Sequence, residues 1–173
     1  EEKNDDETIA NLASLYKCYL IAKQKSEDLV FFIEDDYLHE PNTIQEMILS
    51  YERFASQLNK EIFLCPSDYP YLYQRSENTN VLLGNTRHWQ IVQQSLCSFL
   101  TSKIMIEKYW DSFLKTCKKR NDPFEKHFHE IYKTEYCLSP IPSLSIHCTN
   151  INSSYGVSPY INLKKLWDDN ENN

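Results

Sequence analysis

Leu29-Val30-Phe31-Phe32-Ile33-Glu34-Asp35-Asp36 decides how this chain is read: an unbroken apolar run passes directly into three consecutive acids. A short continuous apolar run bounded by polar residues reads as a buried β-strand. Acids at its carboxyl end place hard oxygen donors at a strand tip, where open α/β sheets hold their ligands. Neighbouring carboxylates raise one another's pKa and stay ionised together only beside a compensating positive charge. Mg²⁺ and Mn²⁺ prefer oxygen ligands and supply that charge. The stretch therefore predicts a strand tip at which Glu34, Asp35 and Asp36 bind a divalent cation that handles a phosphorylated substrate.

Working outward, residues 8–25 carry Ile9, Leu12, Leu15, Tyr16, Tyr19 and Leu20 at helical spacing, and the acidic segment 1–7 before them reads as flexible. Pro41-Asn42-Thr43 opens a second helix to about residue 58, with Ile44, Met47, Ile48, Tyr51 and Phe54 on one face. Glu61-Ile62-Phe63-Leu64-Cys65 is a second buried strand, which runs into the polar loop Pro66-Ser67-Asp68-Tyr69-Pro70-Tyr71-Leu72-Tyr73. Val81-Leu82-Leu83 and Arg87-His88-Trp89-Gln90-Ile91-Val92 read as a strand pair turning at Gly84-Asn85, and 95–101 as a core strand. A long helix is expected over 103–119 and a shorter one over 124–132, started by Asn121-Asp122-Pro123. An extended segment 137–142 and a loop or edge strand 143–147 follow. The 168–173 tail reads as frayed. Helices alternating with strands predict a mixed α/β sheet flanked by helices in three layers, one domain spanning 1–173.

Composition narrows the function classes. The chain has 173 residues, 41% of them hydrophobic, enough to bury a core. A net charge of −7 excludes non-specific nucleic-acid binding, which needs a Lys/Arg excess. No apolar run approaches the roughly 20 residues of a membrane span. The six cysteines are widely spaced without a C-x-x-C pair, so free thiols and a reducing, cytoplasmic setting are expected.

The strand with its acid triplet, the Arg87-His88-Trp89 segment and Pro140-Ile141-Pro142-Ser143-Leu144-Ser145-Ile146-His147 together resemble the GT-A class of nucleotide-sugar glycosyltransferases. Within that class the triplet is similar to that of inverting N-acetylglucosaminyltransferases and their bacterial relatives. The resemblance implies a metal-dependent transfer of a sugar from a nucleoside-diphosphate donor to an acceptor hydroxyl on a glycan or other molecule. It assigns Asp36 as direct ligand to Mn²⁺ or Mg²⁺, Glu34 and Asp35 to the sugar, ribose or metal-bound water, and His147 to completing the metal or diphosphate site. The catalytic base would be an acid at a helix start, Glu125 or Asp122. The resemblance also implies a nucleotide-binding half before the acidic motif; only one helix precedes Glu34 here, so the chain is read as the C-terminal part of a larger GT-A domain.

The chemistry is consistent with this assignment. Breaking a sugar–phosphate bond leaves a diphosphate whose charge calls for a Lewis acid. Asp68, Tyr69 and Tyr73 offer stacking faces and hydroxyls for an acceptor, and Arg87, His88 and Trp89 a cationic and aromatic wall. Each feature also has a structural reading. The triplet could cap the following helix, Asp122 before Pro123 with Glu125 three residues on has capping-box spacing, and Trp89 could be core. Two other functions are weighed: another cation-dependent phosphoryl or nucleotidyl transferase, with Asp68 serving a second metal, and a non-catalytic carbohydrate-binding or interaction domain. A thermal shift with Mn²⁺ that Asp36→Ala abolishes points to either enzyme, and no response points to the binding domain.

Overall fold

The computed structural model describes residues 2–74, 78–152, 157–158 and 160–171, with the side chains of 2–8 and of 150 left aside. In chain order the elements are α1 (Glu2–Lys25), β1 (Leu29–Phe32), β2 (Tyr37–His39), α2 (Thr43–Leu58), β3 (Phe63–Leu64), β4 (Val81–Leu83), β5 (His88–Val92), β6 (Phe99–Ser102), α3 (Lys103–Lys108), α4 (Trp110–Lys118), α5 (Lys126–Tyr132), β7 (Cys137–Ile141), β8 (Ser145–His147) and α6 (Leu163–Glu171). Six strands form a mixed sheet in the order β1-β6-β3-β7-β5-β4, and β2 pairs with β8 in a separate ribbon. Among the described residues only the β3–β7 pair is parallel, with Phe63 beside Cys137; the other pairs are antiparallel.

Side-chain alternation along the central strands divides the core in two. Phe63, Phe99 and Cys137 face one side, where Tyr19 of α1, Met105 of α3, Phe113 of α4 and Phe128 of α5 cover them. The next residues along, Leu64, Leu100 and Leu138, face the other side and pack on Met47, Tyr51 and Phe54 of α2. The chain is thus a mixed sheet with helices on both faces. Burying seven aromatic rings in the first core, with Tyr19 set edge-on to Phe113 and Phe113 edge-on to Phe128, adds directional contacts to the area buried. Pro140 sits in β7 without cost because β3 pairs only with Cys137 and Leu138, which leaves the proline nitrogen outside that ladder.

Several expectations are corrected. The acidic start and tail are helical over Glu2–Lys25 and Leu163–Glu171 where described; residues 1, 172 and 173 lie outside the described set. The 103–119 helix is two, broken at Tyr109, because Tyr109 leaves the helical conformation and caps α3 while starting α4. The helix placed at 124–132 starts only at Lys126, with Glu125 in the cap position, so Asp122 is not its N-cap and the capping-box reading fails. The apolar stretch 29–32 forms an edge strand, half-buried at three of its four residues, because only β6 pairs with it.

Candidate functional site

The chain leaves β1 with the acid triplet and immediately re-pairs as β2 against β8, so the triplet sits where the sheet ends and the ribbon begins. This junction draws distant segments together. The Asp36 backbone carbonyl accepts the Cys148 N–H at 2.8 Å. Its side-chain Oδ2 lies 2.8 Å from His147 Nε2 and also accepts the Thr149 hydroxyl. His147 stands opposite Tyr37 in the ribbon register, their rings 4.9 Å apart. His147 Nδ1 is buried and has no partner among the described residues.

Beneath Asp36, Glu34 turns toward the start of β6. Its N–H donates to Ser98 Oγ at 3.0 Å and its Oε2 accepts from the same hydroxyl at 3.4 Å. Cys97, the preceding residue, directs Sγ to Glu125 Oε1 at 3.9 Å, so two adjacent residues before β6 each engage one glutamate. Burial, then the charges of Asp36 and Glu125, push the Glu34 carboxyl from 4.5 up to about 7; Ser98 opposes the rise and Asp35 adds to it. Burial likewise raises Glu125. The Tyr37 hydroxyl is raised by burial and by Glu34, and it bonds Tyr69 Oη at 2.6 Å. Cys97 is pushed up by burial and then by Glu125 and Glu34, which keeps it a protonated thiol rather than a nucleophile. The common first cause is burial, and among the described residues no Lys or Arg is paired to residues 34–36.

The structure therefore brings Glu34, Asp35, Asp36, Glu125, His147 and Tyr69 to one place, and not the remainder of the sequence-derived set. Asp122 is exposed and outside the cluster. Asp68 is buried under Tyr73, whose hydroxyl reaches both its carboxylate oxygens at 2.8 and 2.7 Å, with Gln90 Nε2 at 3.1 Å and Ser158 Oγ at 3.2 Å completing the shell. Arg87 is spent on Glu40 and on the Pro142 and Ser143 carbonyls, both at 2.8 Å, which ties β5 to the ribbon. Trp89 is fully buried and gives its indole N–H to Glu46 at 3.4 Å, so it presents no face to a ligand. His88 is exposed on β5.

Tyr37, Cys97, Ser98 and Thr149 belong to the junction and were not singled out from sequence. Tyr37 adjoins the triplet, a signal that was present; Cys97, Ser98 and Thr149 arrive by strand pairing and carry no local mark.

Among the described residues no group of three or more His, Cys, Asp or Glu forms a ready-made metal cage. Mg²⁺ is ordinarily held by one or two carboxylates plus waters and substrate phosphates. Asp36 has the oxygen chemistry of such a ligand, and a cation would relieve the part of the Glu34 rise that comes from Asp36 and Glu125. The donor set fits Mg²⁺ or Mn²⁺ on those terms. No protein-family profile, no curated protein and no solved structure matches this chain.

Proposed function

We propose that the chain carries the catalytic junction of a divalent-cation-dependent glycosyltransferase of the GT-A type, which moves a sugar from a nucleoside-diphosphate donor to an acceptor hydroxyl with inversion. One observation supports the reading above others. Three acids ending a strand, a half-buried glutamate capping the start of α5 and a histidine from β8 line one junction, although 113 residues separate Asp36 from Thr149.

Asp36 would hold Mn²⁺ or Mg²⁺, with His147 fixing the carboxylate from its Nε2. When bound, the cation supplies positive charge to the departing diphosphate. Glu125 accepts the acceptor's proton as the acceptor oxygen bonds to the anomeric carbon and the bond to the donor phosphate breaks. Burial raises its basicity toward neutral pH, which is where a general base works best. Ser98 orients Glu34, and Tyr37 with Tyr69 closes the floor of the junction. Asp68, saturated by Tyr73, Gln90 and Ser158, offers little to a second metal, which weighs against the two-metal alternative.

The test is a panel of UDP-, GDP- and CMP-sugars with Mn²⁺, measuring donor breakdown by the wild type and by Asp36→Asn and Glu125→Gln. Turnover of one donor that both variants lose supports the reading. Absence of turnover together with an Mn²⁺ thermal shift identical in wild type and Asp36→Asn defeats it.

A further inference from the structure

The six-stranded sheet ends at β1, and the orientation of that edge follows from its hydrogen bonds. Lys103 N–H donates to the Asp28 carbonyl at 2.7 Å, so residues 28 and 103 form a hydrogen-bonded pair. In an antiparallel ladder such pairs alternate, and the register Val30↔Thr101, Phe32↔Phe99 supplies the next two. Glu34, whose N–H also turns toward β6 to meet Ser98, continues the pattern. Leu29, Phe31 and Ile33 consequently point their N–H and C=O groups outward, and no described residue bonds them.

Natural edges are guarded by lysine, proline, a bulge or a covering element. None of the first two occurs in residues 29–33, and Ile33 is 51% exposed. Each end of this edge is instead acidic: Glu27 and Asp28 before it, Glu34 and Asp35 after it. That charge pattern determines which strand can add here. Two copies paired antiparallel about Phe31 would set Asp28 against Glu34 and Glu27 against Asp35, and a parallel pair would set each triplet beside its twin. Like charges directly opposite destabilise strand pairs, so the edge disfavours a second copy of this chain.

We propose that the outer edge of β1 accepts an added β-strand from a partner polypeptide, apolar at alternate positions and carrying Lys or Arg at both ends. Main-chain bonds to Leu29, Phe31 and Ile33 supply its attachment, and the flanking acids supply its selectivity. This inference does not require a bound cation, although Glu34 and Asp35 belong to both the edge and the junction.

The probe is the peptide Lys-Lys-Val-Thr-Val-Thr-Val-Lys-Lys, compared with the same peptide bearing glutamates in place of the lysines. Amide hydrogen exchange resolved by residue is the readout. Slowed exchange at Leu29, Phe31 and Ile33 with the lysine peptide is expected, while Val30 and Phe32, already bonded to β6, stay unchanged. Affinity should be about tenfold or more above that of the glutamate peptide and fall with added salt. Ile33→Pro removes an outward N–H without breaking a β6 bond; it should melt with the wild type and lose the protection. No protection at the three amides, equal protection by both peptides, or protection without peptide that grows with protein concentration would each overturn the proposal.

Discussion

Replacing Glu34 by glutamine should remove one component of the pH dependence of stability, and the size of the change follows from the junction. In the folded chain the Glu34 carboxyl is held at about 7 rather than 4.5, first by burial and then by Asp36 and Glu125. Between those values the folded state keeps a proton that the unfolded state has released. Unfolding then releases protons, so stability is full below about 4.5, falls as pH rises, and levels off above about 7. At about 1.4 kcal/mol per pH unit the interval costs the wild type about 3 kcal/mol, as an order of magnitude. Glutamine keeps the shape and the Ser98 contact but has no proton to lose.

Urea unfolding at pH 5 and pH 8, followed by the fluorescence of buried Trp89, measures this directly. Relative to wild type, Glu34→Gln should gain about 2.5 kcal/mol on going from pH 5 to pH 8, because part of the interval lies below pH 5, roughly 5–10 °C in Tm for a chain of this size. The buried imidazoles His39 and His129, whose depressed pKa values make stability rise with pH, are present in both chains and cancel in the difference. Parallel pH profiles for the two proteins would refute the electrostatic account. Mn²⁺ added at pH 8 should then stabilise wild type more than the variant, since the ion relieves a repulsion that glutamine has already removed.

Three further outcomes are expected. Asp36→Asn should lower turnover about 10²-fold or more while melting near the wild type, checked by donor assay beside calorimetry. Gly84→Ala should destabilise by about 1–3 kcal/mol or prevent folding, because its Cβ would sit 2.4 Å from Trp89 Nε1 and 2.6 Å from Ser50 Oγ; thermal melting reads it. Glu46→Ala should cost about 3 kcal/mol in urea titration, because Glu46 accepts from Ser50, Asn85, Thr86 and Trp89 at the turn between β4 and β5 and its loss orphans those donors.

Strong periodic segments and abrupt chemical changes were legible in the chain. The α2 face, except for Ile44, which is exposed, and the β4–β5 hairpin follow from spacing and from Gly84-Asn85, and the mixed α/β class follows from their alternation. Edge position was not legible, because an apolar run such as 29–33 reads the same whether one strand or two pair with it; partners are a property of topology, not of the run. The same limit hid Ser98, which reaches Glu34 through the β1–β6 register, and Cys97, which reaches Glu125 at the start of α5. Trp89 and Arg87 show the reverse error. Their side-chain chemistry suits a sugar wall, yet Glu46 and Glu40 satisfy it internally, and nothing local announces which acid a basic or indole N–H will meet.

The acidic junction has a consequence for how the fold is held. Glu34 and Glu125 lie in partial burial, each with its carboxyl raised, and the protein devotes a serine and a cysteine to positioning them rather than a lysine or arginine to neutralising them. A single basic side chain at this point would remove the repulsion and stabilise the chain. Elsewhere the same protein does so: Arg87 meets Glu40, and Lys108 meets Glu135. Uncompensated strain of this kind persists where an arrangement serves something other than stability. The cation that quenches it would have to come from outside the chain, and the pH–stability difference between wild type and Glu34→Gln, with and without Mn²⁺, is the measurement on which that argument stands or falls.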